Sequence, residues 1–177
     1  MHLTDDATLL RLASLTRDLD SQDDHARDTA YRDLLSLAEQ GDGRAMFQIA
    51  RCLNQGIAVP LDPVRADFWL RRACVAKPPS HDAIFSYGMS HVLKQRPDAD
   101  TAKGISFLER AASAGYVRAT LALVQLIETG TSDIRPDLKR AFRLLAGAVC
   151  EGQDQALYDA YTRFVERHQP ISNLLDS

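Results

Sequence analysis

The side chains able to do chemistry are few and widely spread. His81 and His91 stand ten residues apart, and on a helix that spacing turns them about 80° out of phase, a poor arrangement for sharing a metal ion. Asp82 could in principle pair with the adjacent imidazole for acid–base work. Its position at the start of an apolar-periodic run reads instead as a helix-start carboxylate, and Asp5, Asp6, Asp23 and Asp24 read the same way, favoured by the helix dipole. Cys52, Cys74 and Cys150 form an odd set without CxxC spacing, so each is expected to be a small residue packed at a helix contact rather than a metal or redox ligand. Arg71 and Arg72 follow Trp69, a combination that could meet an acidic partner or stack on a nucleobase. Trp69 belongs to an apolar helix face, however, so two solvated arginines are expected. There is no G-x-S-x-G, no phosphate-cradling glycine loop and no H-E-x-x-H. The expectation is no catalytic residue, no cofactor and no metal.

What positions these residues is a repeat. Gly41, Lys77, Gly115 and Gly152 occupy one recurring slot, at intervals of 36, 38 and 37 residues. Eleven positions upstream stand Ala30, Ala66, Gly104 and Ala141, and seven upstream Leu34, Leu70, Leu108 and Leu145. Further apolar or small columns lie eight, four and three upstream. The eight-upstream column reads Asp33, Trp69, Phe107 and Leu144. Such offsets describe one face of an α-helix. Asp62, Asp100 and Asp137 precede three of these helices, where a carboxylate can accept from the free N–H groups of the first turn. The glycine anchors mark the other end, where a left-handed residue closes the helix.

A second helix follows each anchor, opened by Ala45, Ala83, Ala119 and Ala156, and carrying Leu53, His91, Ile127 and Phe164 in one later column. His91 among aliphatic and aromatic residues reads as a satisfied interface histidine. Short helix pairs of this kind cannot bury their apolar stripes alone, so neighbours must stack. The fold class expected is all-α: an α/α superhelical repeat solenoid of stacked antiparallel helix pairs, about nine to ten helices. The chain would form one repeat domain over 1–177. Within it, 1–40 is an N-terminal helical cap pair (helices over 5–19 and 21–40, the second starting with a capping-box-like Ser21 to Asp24), 41–152 about three repeats, 153–167 a closing helix and 168–177 a tail.

Composition agrees with a folded protein. Hydrophobic residues make up 45% and charged residues 25% of the 177, which is ordinary for a globular chain. A net charge of −3 supplies no basic field for nucleic acid, so no nucleic-acid partner is expected. The first 40 residues hold nine Asp/Glu against four Arg. The opening residues lack the basic and apolar regions of a secretory signal, and no apolar stretch is long enough to insert in a bilayer, so a cytoplasmic location is expected.

The stretch Leu37 to Cys74, with its alanine and glycine spacing, its G-x-x-V-x-x-D turn and an aromatic before a small-residue pair, resembles the Sel1-like repeat family, relatives of the tetratricopeptide solenoids. Residues 103–130 are similar again. The intervening repeat departs, with Lys-Pro-Pro at 77–79 in place of glycine. The resemblance implies an adaptor or regulatory scaffold that binds a protein or peptide on the concave surface. A cytoplasmic immunity protein that neutralises a toxin by tight binding is the alternative reading, and an enzyme with an unrecognised site a more distant one. With the core columns removed, the helices after the anchors leave Gln48, Arg51 and Gln55, then Ser86 and Met89, then Gln125 and Glu128, then Asp159 and Thr162 as the expected protein-binding face. Met89, expected to be exposed, could adapt to a partner's apolar side chain.

Overall fold

The computed structural model describes residues 3–152 and 154–168, with side chains from Asp6 onward. The Asp5 carboxylate and the expected tail from residue 169 lie outside the described residues. Nine helices, and no strand, occur among the described residues, giving an all-α repeat solenoid in class. They are α1 (Leu3–Leu19), α2 (Asp24–Glu39), α3 (Gly43–Gln55), α4 (Pro63–Val75), α5 (His81–Val92), α6 (Thr101–Ser113), α7 (Val117–Thr129), α8 (Leu138–Glu151) and α9 (Gln155–Arg167). None is long and apolar enough to cross a membrane.

The repeated aspartates do what the spacing predicts. Asp62, Asp100 and Asp137 each accept a hydrogen bond from the backbone N–H three residues on, at 2.9, 3.1 and 2.9 Å. Asp42 and Asp154, which the repeat columns do not include, cap α3 and α9 in the same manner. Buried Ser80 caps α5 through the N–H of Ala83. At α2 the cap is Asp23, with Ser21 Oγ accepting from the Asp23 N–H, so the helix starts at Asp24 rather than at residue 21. Gly41 and Gly115 are left-handed, with φ of 104° and 79°. Gly152 is not: its φ is −122°, because the chain leaves α8 extended to reach the Asp154 cap almost at once.

The chain divides into two compact halves, Met1–Tyr87 and Gly88–Ser177. In the N-terminal half, α1 packs on α2, α2 on α3 and α3 on α4. The α3–α4 contact is antiparallel and close at its end. A Cβ on Gly43 would lie 2.8 Å from the Pro78 carbonyl and 2.9 Å from Ala76 Cβ, so only a glycine lets α3 start there. The core holds Ala30, Leu34, Ala45, Ile49, Leu53, Trp69 and Ala73.

In the C-terminal half, α6, α7, α8 and α9 pack in succession and α9 also touches α7. Its core is Val124, Ile127, Ala141, Phe142, Leu145, Leu157 and Phe164. Ala45, Ala83 and Ala119 are buried as their column requires, whereas Ala156 is exposed and Leu157 turns inward. The last helix of the described residues packs mainly on α8 and also on α7.

Candidate functional site

In the N-terminal half, Gln48, Arg51 and Gln55 lie on one face of α3, where three- and four-residue spacings bring side chains into line. Arg51 reaches back to Asp20 at 3.1 Å. Two atoms on this face, Gln48 Oε1 and Arg51 Nε, are shut away from water without a hydrogen-bond partner among the described residues. Both side chains are otherwise only half-buried. Ser86 is half-buried on α5.

In the C-terminal half the expected face is less open than spacing suggests. Met89 is half-buried, not exposed; beside it Gly88 lets α6 come close, the carbonyl of Gly104 standing 3.0 Å from where a Gly88 Cβ would be. Glu128 is engaged internally, bonded to Arg167 at 3.0 Å and His168 at 2.9 Å, which ties α7 to the end of α9. Gln125, Asp159 and Thr162 are exposed. Asp159 accepts from Gln155 at 2.7 Å, and Thr162 donates to the Tyr158 carbonyl at 3.0 Å.

His81 and His91 both lie on α5, and His91 is fully buried with its Nδ1 accepting from the Asp100 N–H at 3.1 Å. That bond explains the histidine. In the neighbouring repeats the cap aspartates donate their N–H to a backbone carbonyl of the same column, Asp62 to Leu53 and Asp137 to Ile127, each at 2.8 Å. In the His91 repeat the loop has no closing glycine. Lys94 turns left-handed at φ 54° and its N–H takes the His91 carbonyl, so the ring supplies the acceptor for Asp100 instead.

A ring that accepts at Nδ1 carries its neutral proton on Nε2. Burial lowers the His91 pKa below 6.5, assisted by Lys103 and Arg96 and opposed by Asp98 and Asp100. Because the folded state disfavours the charged ring, its contribution to stability is complete above about pH 6.5 and is lost as pH falls toward the depressed folded value. The thermal midpoint is expected to drop between about pH 7 and 5, and the drop to shrink in His91→Gln. Equal pH slopes in the two proteins, measured by circular dichroism, would rule this out.

Cys52 and Cys74 are buried as expected, but Cys150 is exposed, since α8 turns that position away from α7 and α9. Burial pushes the Cys52 thiol up to about 11, which keeps it protonated and unreactive. Arg71 and Arg72 are exposed but not simply solvated. Arg71 pairs with Asp67 at 2.7 Å, and Arg72 lies over the rings of Phe68 and Trp69, at 5.5 and 4.9 Å. Trp69 is buried, and the aromatic at the surface is its neighbour Phe68. A shallow depression in the C-terminal half is lined by Asp100, Thr101, Ala102, Ile105 and Asp133. Thr101 and Lys94 hold the Asp133 carboxyl down at about 2, so its oxygens are already occupied by the protein's own donors.

The Sel1 repeat model matches residues 43–74, 82–116 and 121–152. Among solved structures the chain is similar to a Sel1 repeat protein from Oxalobacter formigenes, with 25% identity and a TM-score of 0.61, over 75% of this chain and 96% of that one. It is also similar to a protective antigen of uropathogenic Escherichia coli displaying an SLR fold, with 15% identity and a TM-score of 0.64. That match covers 80% of this chain and 30% of the antigen, and it bears on fold alone. No curated protein matches the chain.

Proposed function

Because the chain belongs to the Sel1 repeat family, whose repeats are generally non-catalytic protein–protein interaction modules, we propose that it is an adaptor or regulatory scaffold that binds a protein or peptide along the Gln48, Arg51 and Gln55 face of α3. The observation that carries this assignment is the pair of unsatisfied polar atoms, Gln48 Oε1 and Arg51 Nε. Each buried polar group left without a partner costs roughly 1–3 kcal/mol. A peptide laid along α3 offers a backbone N–H for the glutamine oxygen and a carbonyl for the guanidinium. Small rotations of two half-exposed side chains bring both atoms to it. Binding would then recover a cost that the folded protein already carries.

Free Cys52, Cys74 and Cys150 suit a reducing compartment, which supports placing the protein in the cytoplasm. The test is binding of a partner recovered from the source cell to wild-type protein and to Gln48→Ala/Arg51→Ala. Affinity is expected to fall at least about tenfold, the equivalent of roughly 1.4 kcal/mol, with a melting temperature close to wild type because the Arg51–Asp20 pair is a partly exposed one. Undiminished affinity in the double variant rules out the α3 face.

A further inference from the structure

A second surface lies on α4, outside the face assigned above. The inward side of this helix buries Ala66, Trp69, Ala73 and Cys74. Its opposite side exposes Val64 (81%), Phe68 (54%) and Val75 (72%), and Leu61 (65%) is exposed in the loop ahead of the Asp62 cap. At about 100° per residue the three helical positions fall within an arc of roughly 40°. Arg71 borders the arc on one side, and Arg72 and Arg65 border it on the other. Large apolar side chains kept in water on one continuous stripe mark an interaction surface.

The charge around the stripe identifies the complement. Residues 61–77 hold Arg65, Arg71, Arg72 and Lys77 against Asp62 and Asp67, in a chain of net charge −3. Asp62 is engaged at the helix cap and Asp67 and Arg71 neutralise each other, so the positive charge bordering the stripe is that of Arg65, Arg72 and Lys77. Stacking over Phe68 and Trp69 holds the Arg72 guanidinium beside the stripe, and a planar fork fixed in this way matches a carboxylate. We infer that the outward face of α4 docks an acidic amphipathic helix of a partner protein, its apolar stripe on Val64, Phe68 and Val75 and its flanking carboxylates on Arg65 and Arg72.

From Val64 to Val75 the stripe runs about 16 Å, roughly three turns of helix. Anionic lipid fits less well, because residues 1–87 carry 13 Asp/Glu against 10 Lys/Arg, and the acidic excess of α1 and α2 repels such a surface. A second copy pairing α4 with α4 would set arginine rows against each other.

The test uses the full chain and two fluorescein-labelled synthetic helical peptides, one with a leucine stripe flanked by Glu and the other with Lys in place of Glu. Anisotropy is expected to show the Glu peptide binding at least about tenfold tighter, with the advantage shrinking between about 50 and 500 mM salt. Trp69, the single tryptophan, should change its emission on binding. Phe68→Glu and Val64→Glu should each abolish binding while retaining the wild-type melt, and Gln48→Ala/Arg51→Ala should leave it intact, which separates this surface from the α3 face. Equal affinity for the two peptides, or full binding by both glutamate variants, overturns the inference. So does a concentration-dependent dimer that Val64→Glu dissolves, which would make the occupant a second copy. Sedimentation with phosphatidylserine vesicles in preference to the Glu peptide would make it a lipid surface.

Discussion

Phe164→Ala is expected to destabilise the C-terminal half by about 3–5 kcal/mol, the range for deleting a fully buried aromatic side chain. Phe164 is completely buried, 6.1 Å from the ring of Phe142 and 4.6 Å from that of His168. It closes a core to which Val124, Ile127, Leu145 and Leu157 contribute from α7, α8 and α9. No helix beyond α9 exists among the described residues to collapse into the space. In a repeat array each helix is held chiefly by its neighbours, so the loss should be local before it is global. Native-state hydrogen exchange should therefore lose protection first in α8 and α9, while α2 and α3 keep theirs. Urea melts that place the loss under about 1 kcal/mol would show that the site relaxes around the cavity, and this account of the core would fail.

Gly104→Val is expected to cost about 3 kcal/mol, the upper end of ordinary overpacking. A Cβ at Gly104 would sit 2.7 Å from the Gly88 carbonyl, 2.8 Å from Val92 Cγ2 and 3.0 Å from His91 Cβ. A backbone carbonyl cannot swing aside as a side-chain tip can, so α5 and α6 must separate where they meet. That separation also pulls His91 away from the Asp100 N–H it accepts from. Gly147 is the matched control: it lies in α8, and a Cβ there meets nothing within 4 Å. Gly147→Ala should accordingly raise stability by about 0.5–1 kcal/mol through helix propensity alone. Two glycine substitutions with the same sign of effect in thermal melts would contradict the packing argument.

The outcome at the proposed binding residues has a common physical cause. Spacing identifies which residues share a face, but not what the adjacent helix places opposite them. Gln48, Arg51 and Gln55 share a face of α3 as expected. Glu128 does not present a free carboxylate, because Arg167 and His168 arrive from a residue separation of about 40, which no local pattern encodes. Met89 is half-buried on a helix that Gly88 and Gly104 bring close to α6, a glycine-to-glycine approach between separate helices. The α4 stripe did carry a local signal, since Val64, Phe68 and Val75 follow helical spacing. Attention to the inward columns alone conceals a second apolar face on the same helix.

The amino-acid sequence by itself determined the all-α class, the helix-pair repeat, the aspartate caps and the family, because all of these rest on interactions within a few residues along one chain segment. Caps, left-handed glycines and a face repeating every 3.6 residues are local physics. Only the tertiary structure decided why a histidine stands at position 91, why Cys150 and Ala156 face out, and which polar atoms on α3 go unsatisfied. Each depends on whether a neighbouring element is present and how closely it approaches. That approach is set by contacts between residues distant along the chain, and it changes sharply with a single methyl group at positions such as Gly43 and Gly104.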